Sequence, residues 1–390
     1  MSFPRHTHHV CLVSEQTLPN YLGSIVPEAF PKKVHLIVTG RMKERADILE
    51  KALRLRGYDV RQYPLAAPEP DAMMDALDTV YADTGTDVAI NVTGGTKIMA
   101  LAAVEWAGIQ DERPFLFYVD TDRKKILQIG GKQEQYALNI SLGVQSILYA
   151  GAGHTIIRHK NTPLKKEERE ALKNLLAIFT KNTSALSMFN FCAAESKKQL
   201  LCADMPFSSS EDFSTALNIA ENLGKLKVNS RKIQYTSEEA RAWCNGGWLE
   251  EYIKKILYQM KCNNVIDDWG SNVEIDCRFK KQHKNDSWNE LDGVFTAQNR
   301  LFVIECKSCD MQKNKKTGQL QSHAERAIYK LDSLKKTLGG TLSRGMIVCI
   351  HAPRSEDIQR CKDLRIELLH GPDVLRLEEK LKQWIQNASR

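Results

Sequence analysis

A chain of 390 residues is long enough for two or three domains of ordinary size, which rules out one small fold. Hydrophobic residues at 42% and charged residues at 26% match a folded globular protein and exclude a disordered chain, a coiled coil or a collagen-like fibre. The net charge of +7 favours a polyanionic partner, because lysine and arginine near phosphates gain from counterion release. The longest apolar runs, Leu301 to Ile304 and Met346 to Ile350, fall far short of the ~20 residues that span a bilayer. The opening MSFPRHTHHV lacks the apolar stretch of a signal peptide, so a cytoplasmic protein is expected and its ten scattered cysteines read as thiols.

Over the first 130 residues, β-rich runs alternate with helical patterns. The runs are Val10 to Val13, Val34 to Val38, Tyr58 to Tyr63, Asp87 to Val92, Pro114 to Val119 and Lys125 to Ile129. This rhythm predicts a parallel, doubly wound α/β sheet. Met42, Ala46, Leu49 and Leu53 recur at helical spacing before a capping Gly57, Pro70 to Asp83 carries a second stripe, and Thr96 to Gly108 a third. In such folds ligands bind beyond the carboxyl ends of the strands. Three loops occupy that position: Ser14-Glu15-Gln16-Thr17, Thr39-Gly40-Arg41, and Thr93-Gly94-Gly95-Thr96-Lys97. In the last, two glycines allow close backbone approach, the threonine can cap a helix, and free N–H groups with Lys97 attract phosphate. It is neither a Walker loop nor a GxGxxG turn, which disfavours NTP hydrolysis and dinucleotide binding. The same pattern also suits a glycine-rich turn that only starts a helix.

The strand ending Asn91-Val92-Thr93-Gly94-Gly95-Thr96-Lys97, followed by Ile98-Met99, resembles the CARF ligand-sensing domains of type III CRISPR defence, in the group fused to a restriction-type nuclease. The resemblance covers roughly the first 150 residues. It implies a Rossmann-like sensor that forms two-fold dimers and binds a cyclic oligoadenylate, cyclic tetra-adenylate first, across the dimer axis. It further implies that Ser14, Glu15 and Thr39 line the adenosine pocket while Thr93, Gly94, Gly95, Thr96 and Lys97 meet the ring of phosphates and riboses. A symmetric ring suits an isologous interface.

From Ala152 to Ala242 the alternation stops. Lys165 to Thr180 and Phe213 to Leu223 read as helices, Met188 to Cys192 is mixed, and Ser208-Ser209-Ser210 marks a loop or cap. Lys225 to Val228 and Lys232 to Tyr235 flank Asn229-Ser230 as a hairpin. Residues 151–242 are therefore a connecting segment, either winged-helix-like and touching nucleic acid or a plain spacer with a solvated hairpin.

The remainder, 243–390, reads as an α/β unit. After a Gly246-Gly247 break, Trp248 to Met260 forms an amphipathic helix. Val273 to Phe279 alternates as a half-buried strand, and Glu290 to Thr296 and Leu301 to Lys307 follow as strands around a turn at 297–300. Gln319 to Leu338 is a helix and Gly345 to Ile350 a buried strand. Period two places Glu305 and Lys307 on one face, and hairpin pairing can bring Asp292 alongside. Two converging carboxylates repel unless a hard divalent cation holds them. Such an ion polarises a phosphodiester and lowers the pKa of bound water, while Lys307 positions the nucleophile or stabilises charge at phosphorus. Glu250 or Glu251 on the preceding helix is a further candidate carboxylate. Clusters at Lys280, Lys281, Lys284 and at Lys313, Lys315, Lys316 add positive charge, and Trp288 among them is a candidate stacking residue, unless it packs on the sheet. The single Cys306/Cys309 pair lacks a zinc-ribbon partner, His283 and His323 lack a nucleophile, and His6, His8 and His9 lie near a terminus where they chelate metal only adventitiously.

This arrangement resembles the PD-(D/E)xK nuclease core, with Glu305-Cys306-Lys307 as the second motif and Asp292, after Leu291 rather than proline, as a slightly divergent first. The resemblance selects Glu250, in Gly-Trp-Leu-Glu, as the helix glutamate, with Asp292, Glu305 and Glu250 on Mn²⁺ or Mg²⁺. Together the two halves resemble the single-chain CARF nucleases. They imply a homodimeric endonuclease of antiviral defence, activated by cyclic oligoadenylate and cutting DNA, RNA or both as single-stranded or nicked nucleic acid. Two other readings stand beside it: a ligand-responsive transcription regulator with an inactive nuclease fold, and a constitutive restriction or repair nuclease.

Overall fold

The structure is a computed structural model that describes residues 3–26, 31–198, 201–206, 210–277, 289–310 and 323–388. Ser208, Ser209, His283, Trp288 and the two lysine clusters at 280–284 and 313–316 lie outside the described residues.

The N-terminal unit begins with β1 (His8–Leu12), α1 (Leu18–Ile25), β2 (Lys33–Thr39), α2 (Lys43–Arg54) and β3 (Asp59–Leu65). It continues with α3 (Pro70–Thr84), β4 (Val88–Asn91), α4 (Lys97–Gly108), β5 (Phe115–Asp120), β6 (Lys125–Gln128) and β7 (Gln135–Ala137). The sheet order is β3-β2-β1-β4-β5-β6-β7. The first five strands are parallel, the inner ones carrying near-continuous apolar runs and the edge strand β3 alternating, but β6 and β7 are antiparallel to their neighbours. Only four residues separate β5 from β6, too few for a crossover, so a tight turn reverses the chain there. The histidines near the terminus are structural: His8 and His9 lie in β1, and His8 Nδ1 meets His35 Nε2 at 3.0 Å. His9 is fully buried, and burial pushes its imidazole down to about 3.

Next come α5 (Val144–Ala152), β8 (His154–Arg158), α6 (Lys166–Lys181), α7 (Thr183–Glu195), β9 (Cys202–Asp204), α8 (Glu211–Asn222), β10 (Leu226–Asn229) and β11 (Lys232–Tyr235). The hairpin expected around Asn229-Ser230 forms, with Ser230 in the left-handed region, and β9 completes a three-stranded sheet β10-β11-β9 against three helices. The mixed stretch 188–192 is helical, within α7.

The last unit comprises α9 (Glu238–Ala242), α10 (Trp248–Cys262), β12 (Asp268–Cys277), β13 (Asn289–Ala297), β14 (Arg300–Lys307), α11 (His323–Gly339), β15 (Ser343–Cys349), α12 (Ser355–Asp363), β16 (Ile366–His370) and α13 (Leu377–Asn387). Its six-stranded sheet has the order β16-β15-β14-β13-β12-β8. Thus β8, which falls in the span expected to be connecting, closes the C-terminal sheet by pairing with β12. Along β14, Leu301 and Val303 face one core while Phe302, Ile304 and Cys306 face another, the period-two alternation of a central strand. The first core is shared: α5 and α11 pack together between the two large sheets, so sensor and C-terminal unit join through continuous apolar contact. The second lies between the other sheet face, α10, α13 and the helices of the middle unit.

Candidate active site and sensor loops

The C-terminal site forms where the ladder opens. Pairing of β13 with β14 ends at Gly293–Ile304, one residue short of Asp292 and Glu305. There the side chain takes over from the backbone, and Asp292 Oδ2 accepts the Cys306 N–H at 2.6 Å. Gly293 permits close approach of α10: a Cβ at that position would sit 2.9 Å from Ile253 Cγ2. That packing brings Glu250, in the first turn of α10, into the electrostatic reach of Asp292. Behind it the chain kinks between α9 and α10, where Asn245 and Gly246 leave the helical region and Gly246 has φ +121°. A Cβ on Gly246 would lie 2.6 Å from Ser308 Oγ, so the glycine break seats α10 against the end of β14.

Asp292 and Glu305 are 9% and 3% exposed. Burial first, then the charges of Glu305 and Glu250, push the Asp292 carboxyl up to about 8. Burial likewise raises Glu250, against the pull of the Asn272 amide that donates to its Oε2 at 2.6 Å. Lys307 Nζ lies 2.7 Å from Glu305 Oε1. Burial disfavours that ammonium, but Glu305 and Asp292 outweigh it and hold its pKa above the usual lysine value. The four expected residues therefore share one neighbourhood, whereas Glu251 turns to Lys254 at 3.8 Å.

Two partners were not signalled by the sequence. Lys330 of α11 donates to both Glu305 oxygens, at 3.2 and 3.0 Å, so this carboxylate lies between two ammonium groups. In sequence Lys330 is one more lysine on an amphipathic helix. Asn272 has positive φ within β12 and bridges Glu250 and Glu290, a role with no motif. Among the described residues no group of three His, Cys, Asp or Glu is arranged to hold a metal ion, and Glu250 is engaged with Asn272 rather than drawn in with Asp292 and Glu305. The donor chemistry nonetheless fits a hard divalent cation: a buried Asp292 carboxyl raised by burial and by the neighbouring Glu305 and Glu250 charges is what such an ion would relieve.

In the N-terminal unit the three loops leave one edge of the parallel sheet, because β1, β2 and β4 end in register there. Gly94 lies on the first strand: a Cβ would meet the Leu12 carbonyl oxygen at 2.0 Å, and Gly95 has φ +72° with Leu12 Cβ at 2.9 Å. Both glycines are thus required for the loop's path. Thr93 is held by Asn91 at 2.6 Å and accepts the Val119 N–H at 2.7 Å, while Thr96 caps α4 by accepting from Met99. Lys97 is exposed; Ser14 donates to the Gln16 carbonyl, Glu15 pairs with Arg45 at 3.0 Å, and Thr39 ends β2 half-buried. The first loop also touches the C-terminal unit, where Gln16 and Thr341 exchange hydrogen bonds at 2.6 and 2.9 Å beside the C-terminus of α11. Asp122, after β5, pairs with buried Arg300 of β14.

Residues 8–146 match the family described as Card1 CARF domain, and residues 237–388 the family described as Card1-like, endonuclease domain. The fold is similar to that of protein VC1899 from Vibrio cholerae, with TM-score 0.81 and 20% identity over 98% of each chain. It is also similar to Can2 from Sulfobacillus thermosulfidooxidans, solved in complex with cyclic tetra-adenylate, with TM-score 0.80 and 26% identity over 97% of this chain and 99% of that one. A type III CRISPR defence DNA nuclease activated by cyclic oligoadenylate aligns with TM-score 0.55 and 16% identity, over 97% of this chain and 52% of that one. No curated protein matches. Among the described residues no helix is long and apolar enough to cross a membrane.

Proposed function

From a chain that joins a Card1 CARF domain to a Card1-like endonuclease domain, we propose a nuclease of type III CRISPR defence that is switched on by a cyclic oligoadenylate, cyclic tetra-adenylate first. The observation that carries this reading is one chain holding both a glycine-laid loop at the carboxyl edge of a parallel sheet and a buried Asp292, Glu305, Lys307 and Glu250 cluster. The likeness to Can2 over nearly the whole chain supports the choice of ligand. Residues 1–150 sense, 151–242 connect and 243–390 cut, with β8 lent to the cutting sheet. The enzyme acts in the cytoplasm, a setting that suits cysteines that are all free among the described residues.

Asp292 and Glu305 would hold Mn²⁺ or Mg²⁺, with Glu250 as the third carboxylate. When bound, the ion supplies Lewis-acid polarisation of the phosphodiester and a more acidic water. The chain's own part begins with Lys307 and Lys330, whose hydrogen bonds fix the orientation of Glu305. Lys307, beside Glu305 and partly exposed, would stabilise charge on the phosphoryl oxygens. Asp292 stays aligned by the Cys306 N–H.

The unit at work is a homodimer. On α4, next to Thr96 and Lys97, Ile98 and Leu101 are 50% and 69% exposed and share one face at helical spacing, an apolar patch that a second copy would cover. Binding of the activator shifts a two-state equilibrium, and moving it from 1:99 to 99:1 needs ~5.5 kcal/mol of differential affinity, which a ring held by both protomers can supply. The Gln16–Thr341 contact, α11 and Lys330 form one continuous element between the sensor loop and Glu305.

The test is cleavage of labelled single-stranded RNA, single-stranded DNA and supercoiled plasmid with Mn²⁺ or Mg²⁺, with and without cyclic tetra-adenylate. Cutting is expected only with activator, and not in Glu305→Ala. Cutting without ligand would favour a constitutive nuclease, and no cutting under any condition a regulator.

A further inference from the structure

A cleft of about 610 Å³ opens between the middle unit and the cutting unit, within the size range of small-ligand clefts. One wall holds Glu250 and Asn272 of the candidate active site; the other joins Lys225 of the middle unit, at the foot of the β10–β11 hairpin, to Trp243 and Asn245 of the kinked segment that leads into α10. Lys160 stands at the rim, close enough to Glu250 to act on its charge. The indole of Trp243 is half-buried, and Lys225 Nζ lies 5.3 Å from its ring centroid.

Resting on the nuclease reading above, we propose that this cleft is a subsite for one unpaired nucleotide flanking the scissile phosphate, with the base stacked on Trp243 and its phosphate held by Lys225 and Lys160. Indole faces stack on any base, and an ammonium over the ring is exchangeable: a base sliding onto the indole sends Lys225 to the phosphate it brings. The cleft's charge is mixed, since Glu239 and Glu251 also line it, which suits a single nucleotide rather than a length of duplex backbone. A larger basic cleft of about 760 Å³ between α6, α10 and α13 holds none of the four candidate catalytic side chains, so it cannot position the bond to be cut. The middle unit thereby gains a role as one jaw of the substrate site. The kink at Asn245 and Gly246 lies between Trp243 and Glu250, and both side chains line the cleft.

The experiment measures steady-state cleavage of a single-stranded oligonucleotide, as DNA and as RNA, by the full-length protein with cyclic tetra-adenylate and Mn²⁺. Trp243→Ala should raise KM about tenfold while leaving kcat within about twofold, and Trp243→Phe should restore most of the loss. Lys225→Glu, on a partly exposed side chain, should raise KM without depending on the indole. A second arm uses substrates with one abasic position each. The unmodified enzyme should lose affinity at one position beside the cut, and Trp243→Ala should be insensitive to it. Unchanged KM in both Trp243→Ala and Lys225→Glu, or an abasic profile that survives Trp243→Ala, would overturn the subsite. If the unmodified enzyme does not cut at all, it is the nuclease reading that fails.

Discussion

The buried acid at the opening of the ladder gives a prediction that needs no substrate. In metal-free protein the Asp292 carboxyl is raised to about 8 from an ordinary 3.8, so the folded chain keeps a proton that the unfolded chain has already released. The stability tied to that proton is fully present below pH 3.8 and is lost as pH rises toward 8. Between pH 5 and pH 7 one proton differs between the two states, which costs about 1.4 kcal/mol per pH unit, or about 2.7 kcal/mol over the interval. The proton belongs to a cluster that includes Glu305 and Glu250, so the comparison must be with Asp292→Asn, whose amide keeps the shape and cannot ionise. Thermal unfolding in EDTA should place wild type and Asp292→Asn close together at pH 5. At pH 7 the variant should be the more stable by about 5 to 10 °C for a unit of this size. Adding Mn²⁺ or Mg²⁺ at pH 7 should then raise the midpoint of wild type and leave the variant nearly unmoved. A wild-type-minus-variant difference that is the same at pH 5 and pH 7 would refute the buried neutral acid and, with it, the electrostatic case for a cation there.

Three further outcomes are expected. Gly94→Ala drives a Cβ into the Leu12 carbonyl, so activator binding, read by calorimetry, should be lost, with destabilisation of about 1–3 kcal/mol from overpacking. Lys330→Ala removes one of the two ammonium groups on Glu305 and both of its hydrogen bonds, and kcat should fall about tenfold with KM for substrate unchanged, since a charge-assisted contact is on the order of 1.5–3 kcal/mol and solvent screens this partly exposed ammonium. Gln16→Ala breaks the contact to Thr341, so the activator concentration for half-maximal cleavage should shift while activator affinity measured directly stays within about threefold; equal shifts in both would locate Gln16 in the binding pocket instead.

Much of the molecule is written in local pattern. The inner parallel strands announce themselves because a strand buried on both faces must be apolar along its length, the edge strand β3 alternates instead, and the alternation of Leu301 to Lys307 fixes which side chains share a face. Gly94 and Gly95 mark a close backbone approach, and Glu305-Cys306-Lys307 marks a charged pair at the end of an otherwise apolar strand. The reversal at β6 was less legible, since β-rich runs carry no sign of direction and only the short turn after Asp120 decides it. Beyond Ile350 the elements α12, β16 and α13 are short, and their patterns gain meaning only from the sheet edge they cover.

Composition, period and spacing determined the two α/β units and the strand face that Glu305 and Lys307 share, because those depend on neighbours within a few residues along the chain. Tertiary structure alone decided that β8 completes the C-terminal sheet, that α5 and α11 are buried between both sheets, that Lys330 grips Glu305, and that Lys225 lines the cleft with Glu250. Each of these is a meeting of segments tens to hundreds of residues apart, set by which apolar faces remain to be covered once the local elements exist, and no stretch of sequence carries that information by itself.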